Sequence, residues 1–380
     1  MLTNSDIAEL TDLRRSLHRR PELSGQETAT AAGIAAILRD LGADQIITGI
    51  GGAGVVAMFR GPAPGPVTMF RAELDALPIP EAPGRDHRSI HEGVAHLCGH
   101  DGHMAGLIGL ARLLARRRPA RGAVMVLFQP AEETGAGAAA MISDAALPGF
   151  DYGFAIHNFP GLPLGRALLG AGVIACASVG MQLLLSGATS HASEPEKART
   201  PAPAIAAITP ALAALSRGAG AAGPGFRLAT VTHLRMGVPA FGITPGEAEI
   251  RAVLRAHDDD GLAALRAQAT GIARQAAQAH DLDITISWHE HFAASVNDPQ
   301  ATAILARAAA AAGISLSAEH LPMRASEDFG RFGAGGRTAM ILMGAGADHP
   351  PLHAQDYDYP DALIAPSVGL LARVAGELNG

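Results

Sequence analysis

The sequence predicts an α/β fold: a larger domain on a mostly parallel sheet, interrupted by a smaller ferredoxin-like α+β domain. Three observations carry this. The chain has 380 residues, beyond the length at which a single core usually stops growing. Apolar strand-like runs alternate with helical runs through the first part, as expected where helices cover a parallel sheet. Near residue 176 the rhythm changes to β-α-β-β-α-β, the order of a ferredoxin-like unit, and later returns. The domains are accordingly placed at 1–176 and 292–380, forming one unit in two parts, with 177–291 between them.

Taken in order, "SDIAELTDLRRSLHRRPELSGQETATAAGIAAILRDLGA" has apolar residues at helical spacing on either side of "RPELSG", which predicts two helices. Ser24 and Glu27 form a capping-box pattern expected to start the second. "GVVAMF" (54–59) and "VTMFRAEL" (67–74) read as strands around the turn "RGPAPGP". "MAGLIGLARLLARRR" reads as a helix, and its arginines complement the helix C-terminus. "AVMVLFQP" (123–130) is continuously apolar, which suits a strand buried on both faces. "GAGAAAMISDAAL" is helical and "YGFAIHNF" a strand.

The middle region places strands at "ASVGMQLLLSGATSHA", "FRLATVTHLRMG", "EAEIRAVLRAH" and "DITISWHEH". Its helices are "PAIAAITPALAALSR" and "DGLAALRAQATGIARQAAQAH". The last part returns to helix ("ATAILARAAAAAG"), strand ("TAMILMG") and helix ("ALIAPSVGLLARVAGELNG").

Composition narrows the function classes. Hydrophobic residues are 48% and charged residues 17%, a globular balance. Net charge is −7 without a long basic run, so nucleic acid is not an expected partner. Two cysteines indicate no disulfide framework. The N-terminus lacks a secretory h-region, and no run approaches the roughly 18 apolar residues of a membrane span. A soluble cytoplasmic protein, with no membrane partner, is the expectation.

Chemistry is concentrated in "HLCGHDGH" (96–103), "FQPAEET" (128–134), "AIHNF" (155–159) and "PPLHAQDYDYP" (350–360). Each lies beside the end of a predicted strand, where loops of an open α/β sheet converge on one crevice. Cys98, His100, Glu133, His157 and His353 can therefore meet in space. Thiolate, imidazole and carboxylate are ligands for zinc and its neighbours. Five ligands exceed what one tetrahedral ion needs, which points to two divalent ions sharing a water, about 3.5–4 Å apart. A bridging protein ligand should be anionic, which favours Cys98 over an imidazole. Glu132 and Glu133 are adjacent on extended chain and point oppositely, so one can bind metal while the other faces the water as a general base.

"LRRSLHRRPELSGQE", "RAELDALPI", "HLCGHDGHMAGLIGLA", "FQPAEETGAGA", "SHASEP", "SEDF" and "PLHAQDYDYPD" together resemble the two-metal aminoacylase/carboxypeptidase family. The branch is that of hippurate hydrolases, auxin-conjugate hydrolases and N-acyl-amino-acid deacylases. The resemblance implies that Cys98, His100, Glu133, His157 and His353 are the metal ligands and Glu132 the catalytic base. It implies that His191 steadies the developing oxyanion, with Asp75 and Asp101 as supporting carboxylates and His96 and His103 as supporting or packing groups. It further implies a catalytic domain, a lid domain at 177–291, and a dimer or tetramer formed through that lid.

Three places depart from the family pattern, one of them "AVLR" ending at Arg255, where Gly-Thr-Ile-Arg is usual. Glu73 stands where Asp is usual, and Gly242 where an amide side chain touches substrate. Arg255 is a candidate partner for a substrate carboxylate. The function expected is metal-dependent hydrolysis of the amide bond of N-acyl amino acids, with zinc, manganese, cobalt or nickel as the metal. The alternatives are a dipeptidase or carboxypeptidase of the same family, and a binding protein that has lost the chemistry.

Overall fold

Apolar runs buried on both faces make the centre of the large sheet. Ala63–Glu73, Arg121–Gln129, Tyr152–Pro160 and Arg337–Gly346 run parallel in the spatial order second, first, third, fourth. Val124, Val126 and Phe128 alternate with Met125 and Leu127 along one strand, and all are buried. Gly54–Arg60 and Gln45–Ile50 extend one side as antiparallel neighbours. Arg166–Leu168 and Ser315–Ser317 complete eight strands on the other side. The sheet is thus parallel through its middle and mixed toward its rims.

The computed structural model describes residues 1–218 and 222–380. It divides into two compact units. One comprises Met1–Ile174, Ser295–Glu319 and Glu327–Gly380; the other comprises Ala175–Ala294 and His320–Ser326. In the first, helices Asn4–Arg19, Thr28–Asp40, His100–Arg116, Pro299–Ala311 and Ile364–Asn379 cover the sheet. Leu10, Ile34, Leu38, Phe59, Phe70 and Phe154 belong to one large core cluster in it.

The second unit has four antiparallel strands in the order Arg227–Met236, Glu247–Ala256, Ala177–Ser186, Asp283–Phe292. With helices Ala202–Ala213 and Asp259–Ala279 the chain order is β-α-β-β-α-β, the ferredoxin-like pattern. Val179, Met181, Leu183 and Leu185 alternate onto the buried face. Leu262, Leu265, Ala269, Ala273 and Ala276 supply the helical stripe that meets them. No helix among the described residues is long and apolar enough to cross a membrane.

Three local expectations change. The strand read at 67–74 begins at Ala63, which pairs with Arg121 across a register shift. Gln45–Ile50 escapes a sequence reading because it is a half-exposed rim strand without clean alternation. The capping box of Ser24 and Glu27 does not form. Glu27 itself is the N-cap of Thr28–Asp40 and gives that helix no side-chain hydrogen bond. A capping box occurs instead at Thr3 and Asp6, on the first helix.

Candidate metal centre

The parallel strands deliver their carboxyl ends to one place. Ala63–Glu73 leads to Asp75, Arg121–Gln129 to Glu132 and Glu133, and Tyr152–Pro160 carries His157. Helix His100–Arg116 opens on His100 after Gly99, whose φ of 91° is left-handed. A Cβ on Gly99 would lie 2.2 Å from Asn158 Oδ1 and 2.7 Å from the Tyr357 hydroxyl, so only glycine lets Cys98 and His100 flank this point. His353 sits in the loop after Arg337–Gly346 with its N–H donated to the Leu97 carbonyl at 2.8 Å.

Cys98, His100, Glu133, His157 and His353 come together. Cys98 Sγ is 3.6 Å from His157 Nε2. His353 Nε2 is 3.6 Å from Glu133 Oε2, and His100 Nε2 is 3.8 Å from Glu133 Oε1. The ligand atoms of Cys98, Glu133 and His353 lie within 4.8 Å of one another, as do those of His100, Glu132 and Glu133. Glu132 also groups with Glu327 and Asp328. The adjacent acids therefore divide: Glu133 lies on the Cys98 and His353 side, Glu132 on the Glu327 and Asp328 side.

The donor set fits divalent cations. His100 Nδ1 lies 2.8 Å from the Asp75 carbonyl oxygen, which makes Nδ1 the protonated nitrogen and presents the Nε2 lone pair. His157 does the same with Nδ1 at 2.8 Å from the Asn158 carbonyl. His100 Nε2 and Glu133 Oε1 are buried without a hydrogen-bond partner, and both open onto the cluster. Such orphaned buried atoms are costly unless something binds them.

Electrostatics leads to the same conclusion. Burial is the largest influence on each group here. It pushes the Cys98 thiol and Glu132 well up, reinforced in both by neighbouring carboxylates, and brings Glu133 to about 7. It lowers His157 to about 3 and lowers His353. At His100 burial is outweighed by Glu73, Asp75 and Glu133, which raise it to about 10, so a cation bound at Nε2 would take the place of a proton there. A crowd of anionic donors in low dielectric calls for positive charge at this point.

The supporting groups take separate partners. Asp75 Oδ2 accepts the Glu133 N–H at 3.0 Å and the Ser24 hydroxyl at 2.7 Å. Asp101 instead joins His18 Nδ1 at 2.9 Å and Arg14 at 3.3 Å. His103 bridges Glu73 Oε2 at 2.7 Å and Asn158 Oδ1 at 2.8 Å. His96 is buried with neither ring nitrogen bonded. Glu73 reaches both His103 and Arg71. Arg71 also meets Glu327 at 2.9 Å and Asp328 at 3.0 Å, and donates to Gln129 at 2.8 Å. From the sequence, Arg71 counts only as favouring the deacylase branch over a dipeptidase, and Glu327 and Asp328 have no assigned role. Their only signal was the "RAEL" and "SEDF" matches.

The other residues singled out belong to the second unit. His191 is exposed on the short strand Ser190–His191, with Nδ1 2.7 Å from the Ser193 hydroxyl. Arg255 donates to Ser326 Oγ at 2.8 Å and to the Arg324 carbonyl at 3.1 Å. Gly242 has open space around its Cα.

Residues 69–377 match the profile of Peptidase family M20/M25/M40. N-acetyl-L-cysteine deacetylase of Bacillus subtilis is 31% identical over 343 residues, 90% of this chain and 81% of that protein. Hippurate hydrolase of Campylobacter jejuni is 31% identical over 372 residues, 97% of this chain and 96% of that protein. Among solved structures, a Bacillus subtilis protein described as a dinuclear metal-binding peptidase of the M20 family superimposes with a TM-score of 0.81. It is 25% identical, covering 99% of both chains. This chain belongs to Peptidase family M20/M25/M40 and is a metal-dependent amidohydrolase.

Proposed function

We propose that the chain hydrolyses the amide bond of N-acyl amino acids, releasing a carboxylic acid and the amino acid. The observation that carries this reading is the division of Glu132 and Glu133 about His100, whose Nε2 is 3.9 Å from Glu132 Oε2 and 3.8 Å from Glu133 Oε1. One acid is available to hold metal and the other to move a proton. Cys98, His100, Glu133, His157 and His353 hold two divalent cations, drawn from zinc, manganese, cobalt and nickel. When bound, the cations supply Lewis acidity at the acyl carbonyl and lower the pKa of the attacking water.

Glu132 accepts that water's proton as the new C–O bond forms. It returns the proton to the amide nitrogen as the C–N bond breaks. His191 is the proposed donor to the oxyanion. Ser193 occupies its Nδ1 side, so Nε2 is the nitrogen available to a ligand. In this reading the larger unit is the catalytic domain and the smaller one a lid. The names of the deacetylase and the hippurate hydrolase favour acetyl and benzoyl groups as the acyl part. We further infer a homo-oligomer formed through the smaller unit. Support comes from the exposed side chains of Leu234, Met236, Val238, Phe241 and Ile243 on and beside its rim strand.

The test is a panel of N-acetyl and N-benzoyl amino acids, beside dipeptides, on metal-reconstituted protein. Glu132→Gln should lower kcat by about 10²–10⁴-fold with metal content unchanged. Preferential dipeptide turnover, or a Glu132→Gln variant as fast as the parent, would reject the proposal.

A further inference from the structure

We infer that Glu27 is a positioning residue for Glu132, acting through the backbone of Ala131; this rests on the reading of Glu132 as the base. Glu27 is fully buried. Standing at the N-cap of Thr28–Asp40, its carboxylate has the place from which acids usually accept the first N–H groups of their own helix, yet no such bond forms. Its Oε1 instead accepts the Ala131 N–H at 2.7 Å, across 104 residues of sequence.

Ala131 has a φ of 51°, left-handed for a residue with a Cβ. Such backbone persists where its surroundings hold it. Here both sides of the residue are tied. Glu27 takes the N–H, while the Ala131 carbonyl accepts Gly137 N–H at 3.0 Å and the Thr134 hydroxyl at 3.3 Å. The next residue is Glu132, so the Ala131 backbone sets the direction in which the two acids leave the strand.

The same short segment holds the neighbouring loop. Ser24 Oγ donates to Asp75 Oδ2 at 2.7 Å, and that oxygen also takes the Glu133 N–H at 3.0 Å. Ala76 N–H donates to the Glu22 carbonyl at 2.9 Å, which fixes the segment against the end of the strand. Residues 22–27 are thus a brace between the two acid-bearing turns. The pair that looks like a helix cap in sequence is committed to the site.

The experiment compares Glu27→Ala, Glu27→Gln and Glu27→Asp in the full metal-loaded chain, with Ile34→Val on the same helix as a stability control. Glu27→Ala should lower kcat at least about tenfold with KM changed less than about threefold, as for other supporting groups. Glu27→Gln should stay within about threefold of the parent, because its amide oxygen accepts the same N–H. Adding Ala131→Gly to Glu27→Ala should recover part of the loss, since glycine adopts this φ unaided. Ile34→Val should lower Tm without moving kcat.

Unchanged kcat in Glu27→Ala overturns the proposal, as does a Glu27→Gln variant as slow as Glu27→Ala. If Glu27→Ala does not fold, Glu27→Asp decides: its shorter arm should lower kcat at a Tm near the parent's, and parental kcat overturns the proposal. If the parent cleaves no N-acyl amino acid, the functional reading fails separately. Positioning is then decided by zinc affinity in competition with a chromophoric chelator. Glu27→Ala should weaken it at least about tenfold through the displaced Glu133, and equal affinity overturns the proposal.

Discussion

Cys98 Sγ and His157 Nε2 lie 3.6 Å apart across 59 residues of sequence. The Nδ1 of the same ring lies 2.8 Å from the Asn158 carbonyl, so the nitrogen facing the sulfur is the one with a lone pair. Thiolate and neutral imidazole aimed at common ground are what a borderline-soft cation takes.

Removing the sulfur tests that relationship. Cys98→Ala should weaken zinc binding by at least about tenfold and lower Tm in the presence of the metal, because metal held by the native state stabilises it. Competition with a chelator and thermal scans with and without zinc measure both. A variant binding zinc like the parent would remove Cys98 from the ligand set.

Gly99 is a backbone requirement. Gly99→Ala adds a Cβ 2.2 Å from Asn158 Oδ1 at a φ of 91°. We expect a loss of about 1–3 kcal/mol in stability, together with lower metal occupancy, because Cys98 and His100 flank the strained point. Denaturant unfolding and metal analysis of the same samples check this.

Arg71 is fully buried among Glu73, Glu327 and Asp328. Arg71→Met leaves those acids without their cation, and breaking a buried charge group of this kind costs about 3–5 kcal/mol. Adding Asp328→Asn should recover part of the loss. Urea unfolding of the single and double variants measures the coupling.

His18 makes stability depend on pH. Burial, the largest influence, lowers its pKa. Asp101 and Glu81 outweigh it and raise the value to about 9, with Arg14, His87, His96 and Asp358 also in the surrounding cluster. A pKa raised on folding means that the charged form stabilises the fold. The contribution is complete below the unfolded value of about 6.5 and fades as pH rises through about 9. The Tm difference between the parent and His18→Gln should therefore be widest near pH 6 and narrow toward pH 9.5. A difference that widens with pH would contradict the charged His18.

Much of this was legible in one dimension. The continuous apolar run 123–130 requires a strand covered on both faces, and the β-α-β-β-α-β rhythm after residue 176 appears as a four-stranded antiparallel sheet with two helices. The family followed from short motifs. The unread strands were Gln45–Ile50 and short rim pieces such as Arg166–Leu168, which have too few residues or too much exposure to show a period.

Fold class and the residue types able to hold metal can be read from the chain alone, because periodicity and donor chemistry are local properties. The partners of those residues emerge from the folded chain. It turned Ser24 toward Asp75 and Glu27 toward Ala131 rather than into a helix cap, and placed Arg71 between Glu73 and the distant Glu327 and Asp328. A buried polar side chain bonds whichever group the packed chain brings within reach, and that choice is made by parallel strands meeting at one end of a sheet.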